Sequence, residues 1–360
     1  MRIVIVGASG NAGTALLRRL RRETDLDLVG VARRPPGPAS GPPYDTVQWY
    51  AQDIGAPDAP ARLTGIFAGA AAVVHLAWQI QPSHDRAVLR RTNVEGSRAV
   101  IDGVVRAGVP ALVYASSVGA YAPGPKDRFV DESWPTTGVP ESSYSQDKAA
   151  VERLLDTCEA EHPGLRVVRL RPGLNFQRDA GTEIARYFLG PLAPVGLLRF
   201  GRIPVVPRND RLRMQAVHTD DVADAYARAL LGDARGAFNI AADPVLTPEL
   251  VASRLHGRTV PVPPAVLRVA ADLTWRARLQ PVDRGWVELA LKAPLMACDR
   301  AAAELGWRPS VDAVTALREL MAGMAHRAHT GSPPLSDATE SPGRLPALLR
   351  GRLPGQGNPY

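Results

Sequence analysis

The first residues of the chain constrain its fold more than any other stretch. Residues 3–6 are four β-branched apolar residues, which predict a buried parallel strand. Gly7, Gly10 and Gly13 come next at a G-x-x-G-x-x-G spacing, and residues 14–22 have the apolar spacing of an amphipathic helix. A strand, a glycine turn and a helix in this order predict a cradle for a diphosphate at the positive end of the helix.

The three glycines have separate predicted roles in that cradle. Gly7 permits a tight turn, Gly10 lets the backbone approach a pyrophosphate, and Gly13 lets helix and strand pack closely. Glycine also serves ordinary turns, so the loop is informative only together with the motifs later in the chain.

The second predicted strand, residues 26–32, suggests which dinucleotide the cradle takes. Its carboxyl end should face the adenosine ribose, where an acidic residue suits NAD and an arginine suits the 2′-phosphate of NADP. Arg33 stands there and favours NADP, with NAD as the alternative. Asp53 comes after a short strand-like segment; it could bond the adenine amino group or cap a helix.

Residues 71–76 are a continuous apolar run that predicts a central parallel strand. Residues 84–107 then predict one long helix carrying Asn93, and residues 111–115 predict the next strand. Ser116 and Ser117 come directly after that strand. Because ligands of open parallel sheets gather at the carboxyl ends of strands, position favours a functional serine.

Tyr144 and Lys148 open a predicted helix that runs to about residue 161. Their i, i+4 spacing places the phenol and the ammonium on one helix face. A nearby cation stabilises a phenolate, so Lys148 would lower the pKa of Tyr144 and make it an acid/base for a substrate oxygen held by Ser117. An ordinary surface pair would have the same spacing.

Composition narrows the classes of partner. The net charge is +7, yet the arginines are spread along the chain and no basic run is interleaved with aromatic residues, so nucleic-acid binding is not predicted.

The apolar region 184–207 is broken by arginines and prolines, so no membrane span is expected. The chain enters its first strand at once, which predicts a cytoplasmic protein. Cys158 and Cys298 lack metal-ligand spacing, so no metal site is predicted.

Together these motifs resemble the extended short-chain dehydrogenase/reductase superfamily, and within it the NAD-dependent epimerase/dehydratase family. In chain order they are Gly7-x-x-Gly10-x-x-Gly13, Asp53, His75-Leu76-Ala77, Asn93, Ser116-Ser117-x-x-x-Tyr121, Tyr144-x-x-x-Lys148 and Arg171-Pro172-Gly173. The resemblance covers about residues 1–325. It implies an α/β fold, a doubly wound parallel sheet of the Rossmann type with a smaller C-terminal substrate domain.

The resemblance also implies the site residues. Ser117, Tyr144 and Lys148 would be catalytic, with Asn93 anchoring the backbone near Lys148, and Ser117, Tyr144 and Asn175 would meet the substrate. The implied cofactor-binding residues are Gly7, Ser9, Gly10, Asn11, Ala12, Gly13, Arg33, Asp53, Ile54, Leu76, Ala77, Asn93, Tyr144, Lys148 and Pro172. Members commonly form dimers through two long helices, here 84–107 and 144–161.

Two departures from the family pattern bear on the substrate. Leu174-Asn175-Phe176 replaces the Y-G-P of nucleotide-sugar enzymes, and Met214, with Arg213 beside it, stands where those enzymes carry a diphosphate-binding arginine.

The expected reaction moves a hydride between a nicotinamide and a carbinol or keto carbon of a small molecule. The alternatives are an NADPH-dependent ketone or aldehyde reductase or alcohol dehydrogenase with an exchangeable cofactor, and a non-catalytic NADP-binding redox sensor.

These motifs also predict the domains. Residues 1–173, with 213–243 returning to them, would form the dinucleotide-binding domain, and residues 174–212 and 244–325 the substrate domain. Trp275, Trp286 and Trp307 are expected to pack in a core rather than line a pocket. Residues 326–360 lack periodicity and are expected to be a disordered tail.

Overall fold

The computed structural model describes residues 1–81, 83, 85–189, 198, 201–277 and 279–336. The strands are β1 (Arg2–Val6), β2 (Asp27–Ala32), β3 (Gln48–Ala51), β4 (Ala72–His75), β5 (Ala111–Ala115), β6 (Phe129–Val130), β7 (Arg166–Pro172), β8 (Leu174–Phe176), β9 (Val205–Arg208), β10 (Met214–His218), β11 (Gly236–Ile240), β12 (Ala242–Leu246), β13 (Arg258–Pro261) and β14 (Leu295–Met296). The helices are α1 (Asn11–Leu20), α2 (Ala59–Phe67), α3 (Arg86–Arg90), α4 (Gly96–Arg106), α5 (Ser143–Glu161), α6 (Gly181–Phe188), α7 (Thr219–Leu231), α8 (Pro248–Arg254), α9 (Pro264–Arg276), α10 (Arg284–Lys292), α11 (Asp299–Glu304) and α12 (Ala313–His326).

A seven-stranded sheet in the order β11-β7-β5-β4-β1-β2-β3 forms the centre of the molecule. Every neighbouring pair in it is parallel. The chain runs outward from β1 to β3 and then crosses to β4 on the other side, so the strand order reverses between β1 and β4. This reversal opens a crevice at the carboxyl ends of the strands. The predicted doubly wound parallel sheet is confirmed.

The alternation of side chains along β1 explains why both faces of the sheet are covered. Ile3 and Ile5 point into a core formed with α1 and α7, whereas Val4 and Val6 point into a second core formed with α2 and α4. All four side chains are completely buried. A strand that is apolar on both faces needs helices on both sides, which is why the four-residue apolar run specifies a central parallel strand.

The second region is built on smaller sheets. Strand β10 pairs with β8 in parallel and with β12 in antiparallel fashion, and α12 packs on this three-stranded sheet. The predicted return of residues 213–243 to the first domain is therefore wrong for β10, whereas β11 does join the large sheet. Periodicity could not separate these two strands, because both are apolar and only their pairing partners differ.

The predicted helix 84–107 is interrupted. Helices α3 and α4 are joined by a π-helical turn, Arg91–Glu95, and Asp85 caps α3 by accepting hydrogen bonds from the backbone N–H groups of Ala87 and Val88. Residue 84 lies outside the described residues. The π-helical turn contains Asn93, and such turns frequently mark functional sites.

The expectation of disorder from residue 326 onward is wrong for residues 327–336, which we call the C-terminal strap. The Ser332 hydroxyl donates to the backbone oxygen of Ser9 at 2.5 Å, and Ser40 donates to the Gly331 oxygen at 2.8 Å. Ser332 and Leu335 are completely buried. A Pro- and Gly-rich composition predicts a lack of helix or strand, but it carries no information about such tertiary contacts. Residues 337–360 lie outside the described residues.

A buried ion cluster fastens α5 to the sheet. Glu152 on α5 is fully buried and accepts hydrogen bonds from Arg171 (2.9 and 3.0 Å), Arg169 (2.9 Å) and the Ser116 hydroxyl (2.5 Å). Burial alone would raise the pKa of Glu152, but the two arginines and Ser116 outweigh it and lower that pKa to about 2. The cluster therefore contributes stability above the pKa of an unfolded glutamate and loses it as the pH falls toward 2.

Replacement of Glu152 by Ala should lower the free energy of unfolding by about 3–5 kcal/mol, since it leaves two buried guanidinium groups short of a partner. Urea unfolding at neutral pH measures this. Asp156 is the matched control, because it also binds Arg169 but its side chain is 60% exposed, so Asp156→Ala should cost below about 1 kcal/mol. Equal losses for the two variants would contradict the assignment, as would a gap that fails to shrink on acidification below pH ~4.

Candidate active site

A cavity of about 670 Å³ lies at the carboxyl ends of the central strands. It begins at the glycine loop and reaches the residues after β4, β5 and β7, where Ala77, Ser117 and Pro172 line it. The second region closes the other side with residues of α6, α10 and α12. The site is therefore a crevice between the large sheet and the smaller sheets.

Tyr144 and Ser117 meet inside this cavity. Ser142 caps α5, and its hydroxyl accepts a hydrogen bond from the Ser145 N–H, so Tyr144 lies in the first turn of the helix. Ser117 lies just after β5 and accepts from the Gly119 N–H at 3.0 Å, and the Tyr144 ring and the Ser117 hydroxyl both lie beside Gly119. A Cβ on Gly119 would lie 2.6 Å from the Tyr144 ring, so this close approach requires glycine.

The electrostatics of Tyr144 differ from the sequence expectation. Burial raises the pKa of Tyr144, and Ser117 opposes that rise only in part. Lys148, expected to lower this pKa, points elsewhere: its ammonium donates to the Ala115 oxygen at 2.6 Å and lies 3.5 Å from the centre of the Trp78 ring. The sequence motif fixes the helix face of the lysine but not the direction of its long side chain.

Lys148 is buried, and its surroundings favour a loss of charge. Burial lowers the pKa of Lys148 well below its usual value, although Glu152 and Asp147 raise it in part. The Trp78 face offers the ammonium a cation–π contact in this dry position. No sequence motif marked Trp78, which lines the cavity directly after Ala77.

Asn93 has a different partner from the one expected. Its side-chain oxygen accepts from the Gln79 N–H at 2.8 Å, and its amide nitrogen donates to the Gln79 oxygen at 3.0 Å. Asn93 therefore anchors the segment after β4 rather than the backbone near Lys148. Asp147 of α5, the neighbour of Lys148, has its pKa raised by burial, and Asn93 is among the groups that oppose that rise. The sequence gives the buried asparagine, and only the fold shows which backbone it holds.

The glycine loop fits a diphosphate. Gly7 has φ +87°, and a Cβ there would lie 2.5 Å from the Ala77 nitrogen; a Cβ on Gly13 would lie 2.4 Å from the Gly7 oxygen. Gly10 differs, because its added Cβ would meet only the Gly7 oxygen at 3.5 Å and otherwise open space beside the cavity. Gly10 starts α1 without a side-chain cap, so first-turn N–H groups are available to an anion.

The C-terminal strap adds a wall to this cradle. Ser332 binds the backbone of Ser9 within the loop, and Pro334 lines the cavity. Thr182 and Arg186 of α6 donate hydrogen bonds to backbone oxygens of the strap, at 2.9 Å to Ala328 and 3.1 Å to Pro334. The strap thus links the second region to the glycine loop.

The predicted adenosine-binding residues gather at the β2 end of the cavity. Arg33, Asp53 and Ile54 all line it. With the Gln79 amide turned so that its oxygen faces Arg33, that oxygen lies 2.7 and 3.2 Å from the two terminal guanidinium nitrogens. Asp53 accepts from the Gly55 N–H at 2.9 Å, so it closes a turn while facing the cavity. The remaining predicted cofactor-binding residues that line the cavity are Ser9, Asn11, Ala12, Leu76, Ala77 and Pro172.

The second region contributes residues that sequence reasoning missed. The Trp286 ring lies 5.0 Å from the Tyr144 ring, and Trp286 lines the cavity, so its expected place in the core is wrong; Trp307 is buried as expected. Glu183 also lines the cavity, and burial raises its pKa to about 7. Asn175 faces the same space with a buried side-chain oxygen that has no hydrogen-bond partner.

Membrane spans and metal clusters are both absent from the described residues. None of the helices there is long and apolar enough to cross a membrane. No group of three or more His, Cys, Asp or Glu side chains in that part of the chain is arranged to hold a metal ion.

Sequence comparison identifies relatives of modest identity. The yeast Saccharomyces cerevisiae sterol-4-alpha-carboxylate 3-dehydrogenase (decarboxylating) is 28% identical over 177 residues, which are 47% of this chain and 50% of that protein. An uncharacterised protein of Mycobacterium tuberculosis is 25% identical over 239 residues, which are 66% of this chain and 61% of that protein. The matches therefore span only part of the length of these curated relatives.

Solved structures share the fold over nearly the whole chain. The UDP-glucose 4-epimerase of Thermotoga maritima with UDP-glucose has a TM-score of 0.64 at 20% identity and covers 91% of this chain and 98% of its own. The Streptomyces venezuelae dTDP-glucose 4,6-dehydratase DesIV, with NAD bound, has a TM-score of 0.65 at 21% identity and covers 93% and 100%.

The sequence model of the NAD dependent epimerase/dehydratase family matches residues 3–241, which include the glycine loop, Ser117, Tyr144 and Lys148. These residues make up well over half of the chain. The chain therefore belongs to the NAD-dependent epimerase/dehydratase family and is an enzyme of that family.

Proposed function

We propose that this enzyme is an NAD(P)-dependent oxidoreductase that moves a hydride between a nicotinamide and a carbinol or keto carbon, with Tyr144 as the acid/base. The observation that carries the proposal is that Ser117 and Tyr144 lie together beside Gly119, in the cavity that the glycine loop also lines. A proton donor and a second hydroxyl at one point can hold a substrate oxygen between them.

Tyr144 and Ser117 divide the work at that oxygen. Ser117 orients the substrate hydroxyl or carbonyl, and Tyr144 takes the proton from the hydroxyl or gives it to the carbonyl. A bound nicotinamide supplies the hydride acceptor or donor for the same carbon. Because burial raises the pKa of Tyr144, the phenol is held as a proton donor until a cation comes close.

We assign that purpose to Lys148, because Glu152 and Asp147 favour its charged form against the effect of burial. Its ammonium lies in the cavity, held by the Ala115 oxygen and the Trp78 ring. We propose that Lys148 also donates to ribose hydroxyls of the cofactor. Asn93 supports the adenosine end of the site by fixing Gln79, the residue that in turn faces Arg33.

The cofactor would lie along the cavity from Arg33 and Asp53, past the glycine loop, to Tyr144. The epimerase or dehydratase type of reaction is favoured, because the C-terminal strap walls the cradle and supports retention of a self-regenerated cofactor. A reductase or alcohol dehydrogenase with an exchangeable cofactor is the second candidate, supported by Arg33 as a ligand for NADP. The homodimer implied by the resemblance remains a prediction.

Replacing Tyr144 by Phe should lower kcat about 10²–10⁴-fold while cofactor affinity stays within threefold, since it removes only the proton donor. The assay follows nicotinamide absorbance with the alcohol that the wild type oxidises fastest in a panel of secondary alcohols. Tyr50→Phe is the control, because the Tyr50 hydroxyl bonds Gln48 on the edge strand β3, and it should change kcat less than about twofold. A Tyr144→Phe enzyme with wild-type turnover would indicate a sensor or another base.

Replacing Arg33 by Ala should weaken NADPH binding about tenfold or more and NADH binding less than threefold, because a guanidinium pairs strongly with the 2′-phosphate. Fluorescence titration with each reduced cofactor measures both affinities, so NADH is the internal control. If the two affinities fall equally, Arg33 does not read the phosphate and the preference for NADP is wrong.

Replacing Gly10 by Ala should leave stability within about 1 kcal/mol but weaken dinucleotide binding at least tenfold, because the new methyl group occupies the open space beside the cavity. Gly13→Ala is the comparison, since its methyl group would meet rigid backbone at 2.4 Å and should lower stability by several kcal/mol. Thermal unfolding and NADH titration distinguish the effects. Unchanged binding by Gly10→Ala would place the diphosphate elsewhere.

A further inference from the structure

The far end of the cavity carries two cations that the proposed reaction does not use. Lys126 and Arg213 both line it, and the Lys126 ammonium donates to the backbone oxygens of Arg213 and Ala290, each at 2.9 Å. An ammonium has three donors, so one remains for a ligand. In the described part of the chain, neither cation has a carboxylate within salt-bridge distance.

The charges around Lys126 are all positive. Burial, Arg211 and Arg213 lower the pKa of Lys126 to about 7, and no acidic group opposes them. Glu183 lines the same cavity, on α6, and the charge that lowers its pKa against burial is Arg186. When two cations lie together without an anion, a bound anion stabilises their charged forms.

Arg213 has an unmet hydrogen-bonding need as well. Its Nε atom is buried and has no hydrogen-bond partner. A buried N–H without an acceptor is unfavourable, and an oxyanion in the cavity would supply that acceptor. The unpartnered Asn175 oxygen has the opposite requirement, because it is an acceptor that suits a hydroxyl donor and not an anion.

The wall between these cations and Tyr144 is apolar. Phe188 packs edge-on against Trp286 with ring centres 5.1 Å apart, and Trp286 contacts Tyr144. Leu289, Ala293 and Pro294 continue this wall. Helix α10 runs along this wall, since Trp286 contacts Tyr144 and the oxygen of Ala290, one helical turn further on, binds Lys126.

We propose that the substrate is an apolar alcohol or ketone that carries a carboxylate, with Lys126 and Arg213 binding the carboxylate and the apolar wall separating it from the reacting carbon. This assignment rests on the proposed function for the reacting carbon. The apolar wall favours a hydrocarbon body over a polar nucleotide between the two points.

Binding of three probes tests the assignment without turnover. Isothermal titration measures octanoate, its neutral methyl ester, and UDP, which carries phosphates on a polar body. Wild type should bind octanoate at least tenfold more tightly than the ester. Lys126→Met or Arg213→Met should weaken octanoate about tenfold and leave the ester within threefold.

Lys292→Met is the matched control, because Lys292 lies on the same helix but is paired with Glu141 and Glu288, so octanoate affinity should be unchanged. Equal affinity for octanoate and its ester, or a loss for both in Lys126→Met, overturns the proposal. The proposal is also overturned if the wild type binds UDP more tightly than octanoate and Lys126→Met weakens UDP binding. That result would indicate that the two cations bind a phosphate group.

The proposed reaction can fail independently of this site. Tyr144→Phe should bind octanoate like wild type. If the octanoate results hold while Tyr144→Phe keeps full turnover, the role of Tyr144 is wrong and the carboxylate site stands. If Tyr144→Phe loses turnover and the wild type binds octanoate no more tightly than its ester, the role of Tyr144 stands and the carboxylate site is wrong.

Discussion

The active site depends on one buried carboxylate. Glu152 sits two turns beyond Tyr144 on α5 and accepts hydrogen bonds from Arg171 and Arg169 of β7 and from Ser116. Ser116 directly precedes Ser117. The same ion cluster therefore fixes the helix that carries Tyr144 and the strand end that carries Ser117, and two side chains that act on one substrate atom must be held within about 0.5 Å of their working positions.

Around that fixed point the cavity changes character along its length. At the glycine loop, backbone amides and a helix N-terminus provide positive potential without side chains. Near Tyr144 the surroundings are aromatic, and desolvation governs the pKa of both Tyr144 and Lys148. At the far end, charged side chains return with Lys126 and Arg213. A ligand system that is anionic at both ends and apolar between them fits this arrangement.

The C-terminal strap shows how the two regions are joined. It begins after α12 of the second region and reaches the glycine loop of the first through Ser332. Its contacts with α6 run through backbone oxygens of the strap, so they depend little on the identity of its side chains. A segment without helical or strand periodicity in its sequence can therefore hold a defined position.

The sequence by itself determined the buried central strand, the glycine loop and the shared helix face of Tyr144 and Lys148, because each rests on local spacing: two faces of a strand, three glycines in a turn, and an i, i+4 pair on a helix. Only the tertiary structure decided the direction of the Lys148 side chain, the partner of Asn93, the sheet that β10 joins, and the ordered strap. Those features depend on contacts between residues far apart in the chain, and the local periodicity of apolar residues carries no information about such contacts. Trp286 illustrates the difference, since an apolar residue suits a core or a pocket equally well until its neighbours are known.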